Sequence, residues 1–406
     1  MAKVSLSGVG LFAGIGGLEL GLHRAGHRPT MLCEIDEPAR AVLAKRFPGC
    51  SLEGDIRTLV ALPDADIVTA GFPCQDLSQA GGKKGIGGHK SGVVEALFGL
   101  LRAGKDRLPR WLLIENVPFM LSLDRGRAMS VLTRQLEELG FAWAYRVVDS
   151  RSFGLPQRRP RVLLLASVTE DPRAVLFADE FGTCPVDDRL TEVDPALWYG
   201  FYWTEGLRGV GWAASSVPPI KGGSGLGIPS PPAVWIPAKS FLGTIDLRDA
   251  ERLQGFPSDW TKVDATEGKR GPSIRWRLVG NAVCAAVAEW VGSRLRSPGT
   301  PQGTATRLRD ESRWPKAAWG ARGERYEVAA SMWPIETPYR HLEGFLEYPL
   351  KPLSLRATLG YHDRVRRCPY RLSKEFLAAV ERHLGRMKEG AAEMLPSPLV
   401  LRGRGG

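Results

Sequence analysis

Metal-binding patterns are missing from this sequence. Its six cysteines (Cys33, Cys50, Cys74, Cys184, Cys284 and Cys368) form no CxxC pair, and no His/Cys cluster has metal-ligand spacing. No metal is expected, and the thiols are expected to be reduced. Long apolar runs are missing too. None approaches the roughly 18 residues of a membrane-spanning helix. The first residues, Met1-Ala2-Lys3-Val4-Ser5-Leu6, lack the apolar stretch of a secretory leader. A cytoplasmic protein with no membrane partner is expected. Acidic residues are in short supply, with 44 Asp/Glu against 55 Lys/Arg and a net charge of +11. That balance favours a polyanionic partner, nucleic acid ahead of a membrane surface. The 406 residues suffice for two or three domains. No internal repeat divides them.

What is present organises around Gly71-Phe72-Pro73-Cys74-Gln75. The run Asp66-Ile67-Val68-Thr69-Ala70 reads as a buried strand, which the glycine and proline then stop. A cysteine at a strand end is where an α/β enzyme would place a nucleophile. Cysteine is also among the most buried residue types, so alone it reads first as packing, and the rest of the chain has to raise the nucleophile reading. Gln79 to Ser91 is rich in glycine and lysine. His89 stands where a P-loop needs its second glycine, which excludes phosphate cradling of that type. Two readings stay open there: a lid over nucleic acid or an ordinary surface loop.

From the N-terminus, a small apolar stretch precedes Phe12-Ala13-Gly14-Ile15-Gly16-Gly17 and then a helical pattern through Leu18, Leu20 and Leu22. Strand, glycine turn and helix open a nucleotide-binding α/β unit. The next strand, Thr30 to Glu34, ends in an acid about twenty residues after the turn, placed to reach ribose hydroxyls. Leu52-Glu53-Gly54-Asp55-Ile56 puts another acid near a strand end. Helix-like Val93 to Leu101 leads to Trp111-Leu112-Leu113-Ile114-Glu115-Asn116-Val117, a buried strand closing on a carboxylate. Such an acid is costly to bury ionised, which suits a general acid, although a salt-bridge acid has the same pattern. Leu132 to Leu139 reads as a helix and Trp143 to Val148 as a strand. Gln157-Arg158-Arg159-Pro160-Arg161 then precedes the strand Val162 to Ala166. Its arginines fit a clamp on a base or phosphate, or a solvated turn.

After residue 167 the periodicity fades. Trp198, Tyr199, Phe201, Tyr202 and Trp203 cluster in a loop-rich region, more in keeping with a core than with base stacking. Leu247 to Gly255 reads as a short helix with a glycine stop, and Gly280-Asn281-Ala282-Val283 opens an apolar helix through Trp290. A Pro/Gly/Thr/Arg linker follows. Residues 301–406 hold 19 Lys/Arg and 12 Asp/Glu, so +7 of the +11 lies there. This region includes an expected helix from Lys374 to Met387 with Phe376, Leu377, Val380 and Leu384 on one face. Its excess charge fits phosphate contacts, and its apolar face fits a packing role.

Six stretches in this order resemble the motifs of the cytosine-5 DNA methyltransferases, of bacterial or phage type. They are Phe12 to Gly17, Gly71 to Gln75, Glu115-Asn116-Val117, Gln157 to Arg161, Arg252-Leu253-Gln254-Gly255-Phe256-Pro257 and Gly280 to Val283. The match covers residues 6 to about 295, interrupted near 168–240. The resemblance implies a Rossmann-like α/β sheet dependent on S-adenosylmethionine, a smaller loop-rich target-recognition domain and a C-terminal extension. The expected division is 1–167 catalytic and cofactor-binding, 168–275 target-recognition, 276–298 returning to the catalytic domain, and 299–406 extension.

The resemblance also implies roles. Cys74 would add to C6 of a flipped cytosine, so that C5 takes a methyl group from S-adenosylmethionine. Glu115 would steady N3 and the exocyclic amine, Arg161 would hold O2, and Arg159 would order the loop. Phe12, Ala13, Gly14, Gly16 and Gly17 would cradle the cofactor's methionine part. Glu34 would reach its ribose, Ile35 its adenine face and Asp55 its amine, with Ile56, Pro73, Asn281 and Val283 completing the pocket. Gln75, Ser78, Lys83, Lys84 and Gln157 would face double-stranded DNA. A monomer is expected, with a cognate restriction endonuclease as candidate partner. The same chemistry on tRNA and a non-catalytic DNA-binding regulator on this fold are the alternatives. Two positions depart from the family's pattern: Gly10 replaces a usual acid and Cys284 a usual proline.

Overall fold

The computed structural model describes residues 5–73, 92–186, 188, 193–205, 207, 209–223, 229–309 and 313–390. The chain divides into two compact units. The first is Met1–Phe153, Pro160–Thr183 and Ala282–Glu336; the second is Gly154–Arg159, Cys184–Asn281 and Thr337–Gly406. The expected boundaries are not the observed ones. Residues 299–406, read as one extension, split at 336/337 between the two units.

The first unit is built on a ten-stranded sheet. Its strands are β1 (Ser7–Leu11), β2 (Arg28–Cys33), β3 (Ser51–Glu53), β4 (Ile67–Ala70), β5 (Trp111–Asn116), β6 (Ala142–Asp149) and β7 (Pro160–Ser167), joined by three later ones, β12 (Ala305–Arg307), β13 (Ala317–Ala321) and β14 (Glu324–Val328). Their order is β12-β14-β13-β6-β7-β5-β4-β1-β2-β3. From β3 to β5 all neighbours are parallel, while β7 runs antiparallel to both β5 and β6. Parallel strands covered by helices are buried on both faces, which is why β4 and β5 read as unbroken apolar runs. From β1 the chain goes outward to β2 and β3, then returns to β4 on the other side. That reversal between β1 and β4 opens a crevice at the strands' carboxyl ends, where open α/β sheets bind ligands.

Helix Gly17–Arg24 packs on helix Ala285–Arg296, which returns from the far end of the chain. The approach is close: a Cβ on Gly17 would lie 2.2 Å from Val283 O, and one on Gly21 would lie 2.3 Å from Ala285 O. On the far edge, Trp314 stacks edge-on against Trp143 and Tyr145, and its Nε1 donates to Gly126 O at 2.9 Å. These contacts make β12 to β14 part of this unit rather than an appendage.

The second unit holds an antiparallel sheet of β8 (Tyr199–Phe201), β9 (Ala213–Ala214), β10 (Ala233–Ile236), β11 (Phe241–Thr244) and β15 (Lys351–Pro352), in the order β15-β11-β10-β8-β9. Helices Leu355–Arg366 and Lys374–Lys388 share its core: Tyr361, Val365, Phe376, Ala379 and Val380 pack with Tyr199, Phe201, Trp212 and Trp235. The aromatic cluster is therefore interior, and the C-terminal helices are structural.

Candidate active site

The first-unit residues expected at the site gather at the carboxyl ends of β1, β2, β4 and β5 and at the amino end of the antiparallel β7. Leu11 ends β1, and Phe12 follows with a positive φ of 56°. Its ring meets Phe72 edge-on at 5.9 Å, joining the ends of β1 and β4. The turn continues through Gly14, also with positive φ, where a Cβ would meet none of the described residues within 4 Å. Glu34, just beyond β2, fixes this turn. Its Oε2 accepts from Gly14 N at 2.7 Å and its Oε1 from Asp36 N at 2.8 Å. Ile35 beside it is 62% exposed, an unusual place for a large aliphatic side chain. An open backbone turn, an anchored carboxylate and a bare apolar side chain suit the methionine, ribose and adenine parts of S-adenosylmethionine.

Other expected cofactor residues are placed differently. Ile56 is buried in the sheet's core, so its side chain packs rather than binds. Asp55 has both oxygens engaged: Arg57 N and Nε donate to Oδ1 at 2.9 Å, while Nε and Nη2 reach Oδ2 at 3.0 and 2.6 Å. The Arg57 guanidinium holds the Asp55 carboxyl below the usual carboxylate range. An adenine amine would have to compete with that pair. Gly16 and Gly17 serve packing, since Cβ atoms there would strike Phe47 and Val283. Asn281 ends the helix Gly271–Asn281 of the second unit and is exposed.

Glu115 is the penultimate residue of β5 and Arg161 the second of β7. Arg161 Nε lies 3.0 Å from Glu115 Oε1, with both side chains about nine-tenths buried. Next along β5, Asn116 Nδ2 donates to Phe72 O at 3.0 Å, and its Oδ1 accepts from Val117 N. Asn116 thus ties the Gly71-Phe72-Pro73 turn to β5. It was read only as part of a motif, although a buried amide at a strand end must find partners, which was the available signal. Cys74, Gln75, Ser78, Lys83 and Lys84 lie outside the described residues.

Gln157 corrects an expectation. It is wholly buried in the second unit, not at a DNA-facing surface. Its Nε2 donates to Leu253 O at 2.8 Å, and its Oε1 accepts from Ile220 N at 2.9 Å. Gln254 continues the network by donating to Val279 O at 2.9 Å. The amide's capacity goes to clamping loops together. Arg159 is buried too, with Nη1 donating to Ile220 O at 3.1 Å, in keeping with a loop-ordering role.

Glu19 was not foreseen at all. It is 3% exposed in helix Gly17–Arg24, and burial pushes its carboxyl up from the ordinary 4.5 to about 7. A raised carboxyl pKa means the native state holds the proton more tightly than the unfolded chain. Stability from this group is full below pH 4.5 and is lost as pH rises towards 7, about 3 kcal/mol across the window. Urea titrations at pH 4.5 to 7.5 should show this decline in the wild type and a flatter profile in Glu19→Gln.

Residues 6–183 match the family described as C-5 cytosine-specific DNA methylase. The Type II methyltransferase M2.BsuMI of Bacillus subtilis (strain 168) is 53% identical over 380 residues, covering 92% of this chain and 97% of that protein. M.NlaX of Neisseria lactamica, also a Type II methyltransferase, is 30% identical over 317 residues, covering 71% and 96%. The crystal structure of the S. pombe Dnmt2 methyltransferase is similar with a TM-score of 0.54 at 19% identity, covering 72% of this chain and 97% of that one. That likeness is one of fold.

Proposed function

This chain belongs to the C-5 cytosine-specific DNA methylase family, and from that premise we propose how its residues divide the reaction. The protein is an S-adenosylmethionine-dependent DNA cytosine-5 methyltransferase. Cytosine C5 is a weak nucleophile. Cys74, as thiolate, adds to C6, and C5 becomes the nucleophilic carbon of an enamine; once C5 carries the methyl group, loss of the C5 proton to a base expels the Cys74 thiolate from C6 and restores the aromatic ring. Glu115 supports the addition through N3 and the exocyclic amine, and Arg161 holds O2 while keeping Glu115 in place. Phe12, Ala13, Gly14, Glu34 and Ile35 hold the cofactor, with Pro73 and Val283 contributing; when bound it supplies the methyl group.

The observation that carries this reading is the Glu115–Arg161 pair at 3.0 Å. It stands on the strand next to the Gly71-Phe72-Pro73 turn from which Cys74 follows. A base inside a duplex cannot reach such a site, so the target cytosine flips out, at a cost of roughly a few kcal/mol. Gln75, Ser78, Lys83 and Lys84 contact the double-stranded DNA around it. The protein acts as a cytoplasmic monomer, and a cognate restriction endonuclease recognises the same site.

The test is to express the protein in a host without cytosine methylation and bisulfite-sequence its DNA. One methylated sequence context is expected. An unmethylated genome, together with methyl transfer to tRNA in a tritium assay, would sink the DNA reading.

A further inference from the structure

Glu19 has no part in the chemistry above, yet its carboxyl is buried between strands. Oε1 accepts from Thr69 Oγ1 on β4 at 2.8 Å, while Oε2 is buried with no hydrogen-bond partner among the described residues. Buried carboxylate oxygens without partners are costly, and such a residue persists where something else is gained. Its room is made by Gly10 on β1. A Cβ at Gly10 would stand 2.4 Å from Glu19 Oε1, and 2.9 Å from both its carboxyl carbon and Leu32 Cδ2. Strand alternation sends Val9 and Leu11 into the core on the sheet's other face, so Gly10 faces the helix. The position at which the sequence departs from its family is therefore filled, by an acid arriving from the helix instead of the strand.

The placement matters for what lies above it. Glu19 is the third residue of the helix that begins where the glycine turn ends. The turn is tied to β2 by Ala13 N donating to Cys33 O at 3.1 Å and by Gly14 N donating to Glu34. The Glu19–Thr69 bond ties the same turn and helix to β4, on the other side of β1. β4 in turn ends in the Gly71-Phe72-Pro73 turn.

We propose that Glu19 is a positioning residue for the cofactor cradle: admitted through the gap at Gly10, its carboxyl fixes the Phe12–Gly17 turn relative to β4. The proposal rests on the cofactor site read above. Without the bond, the helix start shifts against β4, and the turn no longer presents its backbone at one distance from the Gly71–Pro73 turn.

The readout is S-adenosylmethionine binding to the full-length protein by titration calorimetry, at a temperature where circular dichroism shows each variant folded. Glu19→Ala should weaken binding at least tenfold. Thr69→Val removes the same bond from the β4 side and should give a comparable loss, so the proposal stays testable should Glu19→Ala fail to fold. Glu19→Gln keeps an acceptor for Thr69 and should stay within threefold of wild type. Gly10→Asp alone should bind poorly, because its side chain overlaps Glu19. Combined with Glu19→Ala it should bind at least threefold more tightly than Glu19→Ala alone. Folded Glu19→Ala or Thr69→Val with affinity within twofold of wild type would overturn the proposal and leave Glu19 a stability residue. Glu19→Gln as weak as Glu19→Ala would overturn it as well, since charge and not the bond would then matter. A wild-type protein that bound no S-adenosylmethionine would remove the cofactor site itself, an outcome distinct from loss confined to the variants.

Discussion

Glu115→Gln is expected to slow methyl transfer by about two to four orders of magnitude, the usual worth of a positioned acid–base group. The glutamine is nearly isosteric, so the loss reports chemistry more than packing. It cannot give a proton to N3, and it leaves the Arg161 guanidinium beside a neutral group in a pocket where both side chains are about nine-tenths buried. Removing one partner of a buried pair costs about 3–5 kcal/mol when the other charge is left alone. A rate measurement therefore needs a melting curve beside it. S-adenosylmethionine affinity should be unchanged, because Gly14, Glu34 and Ile35 sit on other strand ends. Arg161→Ala should lower the rate as well, by loss of the O2 contact and of Glu115's orientation. Cys74→Ser should be the most severe, since an alcohol adds to C6 far less readily than a thiolate. Tritium release from cytosine-labelled DNA measures all three. A Glu115→Gln enzyme within threefold of wild type would refute the acid–base role, and a fully active Cys74→Ser would refute covalent addition.

Much of this site was legible because strands and turns leave local marks. The apolar runs before Phe12, Glu34, Phe72 and Glu115 announced buried parallel strands, and each functional side chain follows its run directly. Asn116 was harder, because its partner Phe72 O is 44 residues away and no spacing rule links them. Gln157 misled for the opposite reason. Among arginines it looked like a surface residue, whereas its three partners, the end of helix Leu247–Leu253, Gln254 and Ile220, lie 63 to 97 residues on. Glu19 carried a helical pattern position and nothing more; only the missing side chain at Gly10 explains how an acid fits there. In each case the sequence shows the polar group but not the distant backbone or void that satisfies it. In residues 299–406 the apolar face of the expected helix Lys374 to Met387 did announce a core helix. Net charge, carried by exposed residues, says nothing of β12 to β14 or of helix Leu355–Arg366, whose partners lie far away in sequence.

The core around helix Lys374–Lys388 carries the second large effect. Phe376→Ala should destabilise the second unit by about 3–5 kcal/mol, the range for emptying a buried aromatic site. Phe376 is fully buried, with its ring centroid 5.1 Å from Trp212 and 5.2 Å from both Phe201 and Trp235. Helix Lys374–Lys388 brings it there, started by Ser373, whose Oγ accepts from Phe376 N at 3.1 Å. No neighbouring side chain can collapse into the void, since three rigid rings surround it. Total stability of a domain is commonly about 5–15 kcal/mol, so the loss is a large share. Phe376→Leu, which retains most of the volume, should cost clearly less. Urea unfolding followed by tryptophan fluorescence reports the change directly, because Trp212 and Trp235 line the site. The same contacts govern truncation. Ending the chain at residue 336 removes β15, which pairs with β11, and both core helices. Loss of DNA binding by such a fragment would therefore report unfolding rather than lost phosphate contacts. A truncated protein that kept the wild-type near-ultraviolet spectrum would show that the remaining strands β11, β10, β8 and β9 stand without β15 and these helices, against the packing described here.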